Sequence, residues 1–478
     1  MNVFPDELKK AKVVPIPKTK DLTDVNNYRP ISLLSVLSKP IERHIHKHTL
    51  QYLESHNLLY PLQSGFRPNH SCHTALTSLV DTWLSAMNKT EMSGAVFIDL
   101  KKAFDMVNHS ILLNKLGMYL CHNSATLQST TDIAKVQNQE TPSVIKLFKS
   151  YLTDRQQKVV VNGSSSSWGA LTRGVPQGSV LGPLLFCIFI NDLPLQLNKE
   201  NISCDLFADD ATIHTQGRDI NAINKNLQTG LNEVTSWCDE NSMVLNPKKT
   251  ESMIIANQQM HQRGPFSLDL TVKEQTVVQV EDHKLLGVTI DSKLKWKYHI
   301  HKVCNKIARN IYLLSKLKPF VDTNTRKLFY NAKIRPHIDY SSTLWDKTSE
   351  AHIKRLNSLQ RRAAKIILPD GKLTTDEKLD KLKILPLTKH LLYNKGILMY
   401  KIWKRDVPRY LSDLFKRQQS KYSSSKKNFR LPLPQRDIFK SSLSFSGASL
   451  WNNLPTSVKD TDILSTFKEN LHEHLSKQ

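Results

Sequence analysis

The stretch Cys204-Asp205-Leu206-Phe207-Ala208-Asp209-Asp210-Ala211-Thr212-Ile213-His214 sets two adjacent carboxylates, Asp209 and Asp210, between short apolar runs. Alternation of apolar and polar residues on either side of a tight acidic turn reads as two short antiparallel strands. The turn of such a hairpin would hold both carboxylates clear of the ladder. Like charges this close repel unless a cation lies between them. Mg²⁺ prefers carboxylate and phosphate oxygens and is commonly held by only one or two protein carboxylates. Taken alone, an Asp-Asp pair is as readily a solvated acidic turn, and the choice depends on whether the chain supplies a third carboxylate and a groove for a polyanion.

The third carboxylate is found upstream. Ala95-Val96-Phe97-Ile98-Asp99-Leu100 is a buried-strand pattern ending in a charge, which costs free energy unless it is paired or metal-bound. Phe104 lies five residues on, and Asp105 opens a helical pattern through Leu116. Helical spacing also marks Lys39 to Leu59, Cys72 to Met87, Val144 to Tyr151, the buried run Leu184 to Leu193, and Ile220 to Asn241. An edge-strand pattern falls in the stretch Ala11 to Lys18, and further strand patterns fall at Lys158 to Val161, Ser252 to Ala256, Val277 to Val280 and Leu285 to Asp291. The order strand, helix, hairpin, helix, strand predicts an α+β fold, an antiparallel sheet with helices on one face, with Asp99 and Asp209 on neighbouring strands.

Three connecting segments carry further chemistry. Arg173-Gly174-Val175-Pro176-Gln177-Gly178-Ser179-Val180-Leu181-Gly182-Pro183 is the densest glycine and proline motif, suited to close and stiff backbone approach to a ligand. Gln63-Ser64-Gly65-Phe66-Arg67-Pro68 reads as a turn with an exposed Arg. Lys18 and Arg29 flank Pro-stiffened backbone and suit phosphate contact, although on composition alone surface solubility explains them better. Cys121 to Pro142, rich in Ser, Thr, Gln and Asn, reads as a loop or insertion.

The 478 residues predict two or three domains, and the formal charge of +24 calls for a polyanionic partner. The charge is uneven: residues 1–295 hold 30 Lys+Arg against 28 Asp+Glu, and residues 296–478 hold 37 against 15. An acidic-centred module therefore precedes a basic one. The six cysteines show no Cys-x-x-Cys spacing, which fits a reduced, intracellular protein. Phe4-Pro5-Asp6-Glu7 is no signal peptide, and the longest apolar run, Val180 to Ile190, is too short to span a bilayer, so no membrane association is expected.

These motifs together resemble the reverse transcriptase of LINE-type, non-LTR retrotransposons. The matching segments are Val14–Lys18, Asn27–Ser35, Gln63–Arg67, Phe97–Asp105, Ser150–Arg155, Gly174–Phe186 with Asn191–Pro194, Phe207–Asp210, Leu245–Thr250 and Leu286–Asp291. Phe445 to Pro455 also resembles the tail of such elements. The resemblance implies a right-hand polymerase with fingers at residues 1–90 and a palm at 91–295 carrying the insertion near 121–142. A helical thumb at 296–370 and a basic C-terminal region at 371–478 would follow. It implies an RNA-directed DNA polymerase in which Asp99, Asp209 and Asp210 bind two Mg²⁺ ions, with Mn²⁺ as a substitute. Phe104, Gln177, Gly178, Arg67 and Lys249 would surround the nucleotide, with Lys18 and Arg29 on the template backbone. The implied partners are an RNA template, a DNA primer or target, and deoxynucleoside triphosphates, and the implied place of work is the nucleus, with a cytoplasmic ribonucleoprotein stage open. The endonuclease that such elements encode upstream is not in the sequence, which starts inside the fingers.

Two other readings stand beside this one. A nucleic-acid-binding remnant would keep the fold and the basic clamp without polymerising; the intact carboxylates speak against it and the insertion speaks for it. A nucleotidyl cyclase or DNA-templated polymerase would share the metal site but is not expected to share Gln63–Arg67 and Pro176–Gly178.

Overall fold

The computed structural model describes residues 3–121, 142–197, 201–262, 264, 266–418 and 427–478. Apart from its two ends, the insertion expected at 121–142 lies outside the described residues. The first sheet opens with β1 (Lys10–Pro17) and β2 (Tyr28–Leu33), antiparallel with Val14 opposite Ile31 and Ile16 opposite Arg29. Two helices follow, α1 (Ser38–Ser55) and α2 (Cys72–Asn88), the second started by a reciprocal capping box between Ser71 and Thr74. Next come β3 (Met92–Ile98), α3 (Ala103–Met106) and α4 (His109–Cys121). The single helix expected from Asp105 is broken in two. The Val107 carbonyl accepts from Gly174 N–H at 2.7 Å, and the Asn108 side chain takes the Ser110 N–H at 3.0 Å, so the chain stops and restarts there.

The helix α5 (Ser143–Leu152) leads into β4 (Gln156–Val161), which returns to pair in parallel with β1, Lys12 opposite Lys158. That pairing ends at Val13, before Pro15 and Pro17, which have no N–H to offer a second neighbour. Two short strands, β5 (Ser164–Ser165) and β6 (Gly169–Ala170), fold back onto β4. The buried α6 (Leu181–Ile190) and the short α7 (Leu193–Gln196) precede the hairpin β7 (Ser203–Phe207) and β8 (Asp210–Gly217). After it come α8 (Ile220–Glu240), β9 (Glu251–Ile255), α9 (Gln258–His261), β10 (Thr271–Val272), β11 (Gln275–Thr276), β12 (Val278–Gln279), β13 (Asp282–Leu285) and β14 (Val288–Asp291).

The central sheet runs β12-β9-β3-β8-β7, with every residue of β3 buried. Helices cover both faces of this sheet, where one was expected. Val96 and Ile98 share a core with Leu227 and Leu231 of α8, whereas Ala95 and Phe97 share one with Leu76, Val80 and Trp83 of α2. Gly94 is what lets α8 lie so close, since a Cβ there would meet the Ile223 side chain at 2.5 Å.

The second half of the chain is helical: α10 (Lys297–Leu317), α11 (Thr323–Phe329), α12 (Arg335–Asp339), α13 (Ser342–Trp345), α14 (Glu350–Ile367), α15 (Thr375–Lys381), α16 (Leu387–Lys404), α17 (Arg409–Ser412), α18 (Leu443–Asn453), α19 (Thr456–Lys459) and α20 (Leu464–Lys477). Its packing runs across residue 370, for Ala363 and Ile367 share a core with Leu379, Leu387 and Leu391. This region docks on α2. Asp81 accepts from Ser444 N–H at 2.9 Å, and Asn88 Oδ1 accepts from the Gln435 and Arg436 N–H groups. Among the described residues no helix is long and apolar enough to cross a membrane.

Candidate nucleotidyl-transfer site

The hairpin forms as the alternation predicts, and its ladder closes with Phe207 opposite Asp210. Asp209 therefore sits in the turn while Asp210 is the first residue of β8, one step more ordered than expected. Ala208 takes a left-handed conformation at φ 57°. Antiparallel pairing of β3 with β8 sets Ile98 opposite Ala211 and so brings Asp99 beside the hairpin turn. Asp99 is steadied by Asn246, whose side chain donates to its Oδ2 at 2.7 Å and whose backbone N–H donates to its carbonyl at 2.8 Å.

The two hairpin carboxylates are disturbed by burial and by their neighbours. Burial in the cleft, followed by the charges of Asp209 and Asp99, pushes the Asp210 carboxyl up to about 6. Burial also raises Asp209, with Asp99 adding to the rise and its own backbone hydrogen bond and Arg29 opposing it. Asp99 and Asp210 line a cleft of about 330 Å³ with Lys248, Lys249, Glu251 and His283, which brings the predicted Lys249 to the carboxylates. Among the described residues no three His, Cys, Asp or Glu side chains close around a single point. Asp99 and Asp210 thus share a cleft, with Asp209 beside Asp210 in the turn, without forming a cage. That donor set fits Mg²⁺, which usually completes its shell with water and substrate phosphates, and a cation would relieve the repulsion that raises Asp209 and Asp210.

A buttress that the sequence reading treated only as a turn supports the hairpin from behind. Gln63 is fully buried, and its Oε1 accepts from Ala208 N–H at 3.0 Å and from Gly65 N–H at 2.8 Å. Ser64 N–H donates to the Leu206 carbonyl at 2.8 Å. A Cβ on Gly65 would lie 2.4 Å from the Ala208 nitrogen, so only glycine allows this contact. The Ser64 hydroxyl meets Tyr410 Oη at 2.8 Å, which links α17 to the same support.

The Gly-Pro motif packs between α3 and β2. Gln177 Nε2 donates to Asp105 at 2.8 Å, and the Gln177 carbonyl accepts from Ser32 N–H at 2.7 Å. Gly178, at φ 118°, lies where a Cβ would meet the Ser32 carbonyl at 2.7 Å. Burial raises Asp105, opposed by its bond from Gln177 and by the charges of Lys102 and Lys18. Lys18 and Arg29 are exposed cations whose fields reach Asp105 and Asp209 respectively. Phe104 stacks on Phe186 at 4.4 Å and meets Phe66 edge-on at 6.2 Å.

Arg67 departs from expectation. It is not the exposed cation of a turn: it forms a two-pronged pair with Glu54 at 2.8 and 2.9 Å, and its Nη1 donates to the Tyr60 and Gln63 carbonyls. Its planar fork fits these acceptors, and it holds the Gln63 buttress in shape.

Glu42 went unnoticed in the sequence. It is buried, and its Oε2 accepts from the Val180 and Leu181 N–H groups at the start of α6, where a helix N-terminus favours negative charge. Its place on the stripe Ser38, Glu42, Ile45, Thr49, Leu53 was the available signal. Asn246 lay inside Leu245–Thr250, where attention went to Lys249.

Residues 16–290 match the family described as reverse transcriptase (RNA-dependent DNA polymerase). The chain is similar to the RNA-directed DNA polymerase from mobile element jockey of Drosophila melanogaster, 28% identical over 374 residues. The alignment covers 76% of this chain and 38% of that protein. It is also similar to the probable RNA-directed DNA polymerase from transposon BS of the same fly, 29% identical over 373 residues, covering 76% of this chain and 39% of that one. The chain thus spans less than two fifths of the length of these relatives. Among solved structures, apo telomerase from Candida tropicalis aligns over 86% of this chain and 70% of its own at 12% identity and a TM-score of 0.42.

Proposed function

From the premise that the chain belongs to the reverse transcriptase family, shown by the match over residues 16–290, we propose that it is an RNA-directed DNA polymerase that extends a primer 3′-hydroxyl with deoxynucleotides. The observation that carries this reading is the grouping of three carboxylates at the hairpin turn: Asp99 and Asp210 line one cleft, Asp209 adjoins Asp210, and the charge of Asp99 adds to the rise of both hairpin carboxyls. Enzymes of this family work with divalent metal ions. In this reading the three carboxylates hold two Mg²⁺ ions, which supply Lewis acidity at the attacking and leaving oxygens of an in-line displacement.

The protein's own groups do the positioning. Asn246 orients Asp99, and Gln63 with Gly65 fixes the turn that presents Asp209. Gln177 and Gly178 wall the nucleotide, and Lys249 stands at the cleft to meet the leaving pyrophosphate. Lys18 and Arg29 take template phosphates. In this reading residues 1–90 act as fingers, 91–295 as palm, 296–370 as thumb and 371–478 as the basic C-terminal region, and the partners are an RNA template, a DNA primer and deoxynucleoside triphosphates.

The test is primer extension on poly(rA)–oligo(dT) with Mg²⁺. The chain should extend the primer, and Asp209→Asn should abolish extension while leaving template–primer affinity intact. Binding without any nucleotide addition by the unaltered chain would instead favour the remnant reading. Phe104, held flat by Phe186, is proposed to exclude a ribose 2′-hydroxyl. Phe104→Val should then admit ribonucleotides, and unchanged discrimination between dNTP and rNTP would remove Phe104 from the nucleotide site.

A further inference from the structure

A cavity of about 240 Å³ lies within the helical second half, lined from α11, α12, the link between α15 and α16, α16 itself and α20. No residue of the central sheet contributes to it. Lys327, Arg335, Lys383, His390 and His472 all line it, and its described lining residues include no Asp or Glu. Arg335 and His390 share one carboxylate, Asp339. Among the described residues Lys327 and Lys383 make no ion pair, so their charges stand at the cavity uncancelled. Burial, followed by the charges of Arg335 and His390, holds the His472 imidazole below its usual range. Cations gathered in this way repel one another unless an anion lies among them.

An irregular turn builds one wall. Pro336 has no N–H and its ring crowds the carbonyl four residues back, and the Arg335 N–H reaches five residues back to the Tyr330 carbonyl. This π-turn, Tyr330–Ile334, widens the helix, and Tyr330, Asn331 and Arg335 all reach the same cavity. Tyr330 is 2% exposed. Its Oη accepts from Gln360 Nε2 at 3.3 Å, and among the described residues its own O–H has no acceptor. Buried phenols usually find a partner, so a donor stands ready for an acceptor that the chain does not supply. Tyr393 brings a second phenol to the cavity, its ring centre 6.3 Å from that of His390 and 5.9 Å from that of His472.

Size and charge together define the occupant. The cavity is smaller than the roughly 300–1,000 Å³ of sites that enclose a whole small molecule, so it takes one group and leaves the rest of the ligand outside. A phosphomonoester carries about −1.5 to −2 charges at neutral pH, which matches the uncancelled charges of Lys327 and Lys383, whereas a phosphodiester brings only one. Guanidinium and phenol donors suit its terminal oxygens. We propose that this cavity seats a terminal phosphate, borne by the 5′ end of a nucleic-acid strand or by a free nucleotide. It shares no residue with the carboxylate cleft and does not rest on the polymerase reading.

Two matched pairs of ligands test it, in chelator so that the carboxylate cleft offers no metal to a phosphate. One pair is a short single strand with a 5′-phosphate and the same strand with a 5′-hydroxyl; the other is deoxyadenosine monophosphate and deoxyadenosine. In at least one pair the phosphorylated member should bind about tenfold more tightly. An advantage confined to the strands assigns the cavity to strand ends, and one confined to the nucleotide assigns it to free nucleotides. Lys327→Gln combined with Lys383→Gln should erase the advantage and leave the unphosphorylated member bound as before. Neither lysine has an ionic partner to lose, so this variant should melt with the unaltered chain. Tyr330→Phe, which keeps the ring, should reduce the same advantage. No advantage in either pair, an advantage that survives the double substitution, or equal loss for both members of a pair would overturn the proposal.

Discussion

The surroundings of the Asp210 carboxyl oppose its charge. Burial, then Asp209, then Asp99 raise it from 3.8 to about 6. A raised carboxyl means that the folded chain holds the proton more tightly than the unfolded one. Its contribution to stability is thus complete below the unfolded value near 4 and is lost as pH rises through about 6. In chelator at pH 7.5, Asp210→Asn should stabilise the protein by about 1 kcal/mol, the shift being discounted for the solvent that the side chain still meets. At pH 4 it should do nothing. Thermal melts at the two pH values decide, and an equal gain at both would remove titration as the cause. A divalent cation competes for the same oxygens, so its protection should grow across the same interval.

The β7–β8 hairpin is held from behind by Gln63 and Ser64, and Tyr410 braces that support from far along the chain. Its hydroxyl meets Ser64 Oγ and donates to Thr74 Oγ1 at 3.2 Å. Tyr410→Phe removes two partly buried hydrogen bonds, of which the shorter one to Ser64 is worth about 1 kcal/mol, and leaves the ring in place. Should the bond steady the hairpin during reaction, kcat should fall about fivefold, which is what 1 kcal/mol amounts to in rate, with KM for nucleotide unchanged. Unchanged kcat beside a lowered melting temperature would confine Tyr410 to stability.

At this scale the sequence was partly legible. The hairpin, α1, α2, α5 and α8 follow from periods of two and 3.6, because their buried stripes are regular. The central sheet was read as covered on one face, although the unbroken apolar run of β3 carried the sign of two covered faces. The break between α3 and α4 depends partly on Gly174, distant in sequence, and its one local trace is Asn108, which caps the restart. The same holds for Arg67, which pairs with Glu54 through a geometry that only the fold creates. Carboxylates stood out because charge at the end of an apolar strand is costly. Asn246 and Gln63 did not, because a neutral amide advertises nothing until its partners are in place.

The chain as a whole is closed on itself through α2. That helix buries Leu76, Val80 and Trp83 against the central sheet on the same core that takes in Ile300, Ala363, Leu387 and Phe439. A chain ending at residue 370 would lack Leu379, Leu382, Leu387, Leu391 and Phe439. At about 1.5–3 kcal/mol for each buried side chain, their loss rivals the roughly 5–15 kcal/mol that keeps a protein folded. Such a chain should be recovered insoluble or without a cooperative melt; a sharp transition at the temperature of the full chain would show that the two parts fold independently.

The bond from Ser444 N–H to Asp81 spans 363 residues. At about 5–20 residues per second, a ribosome needs roughly 20–70 s to pass from one partner to the other. For that interval Asp81 has been made and its Ser444 partner has not. The docking of the helical second half on α2 therefore waits at least that long after α2 itself has been made.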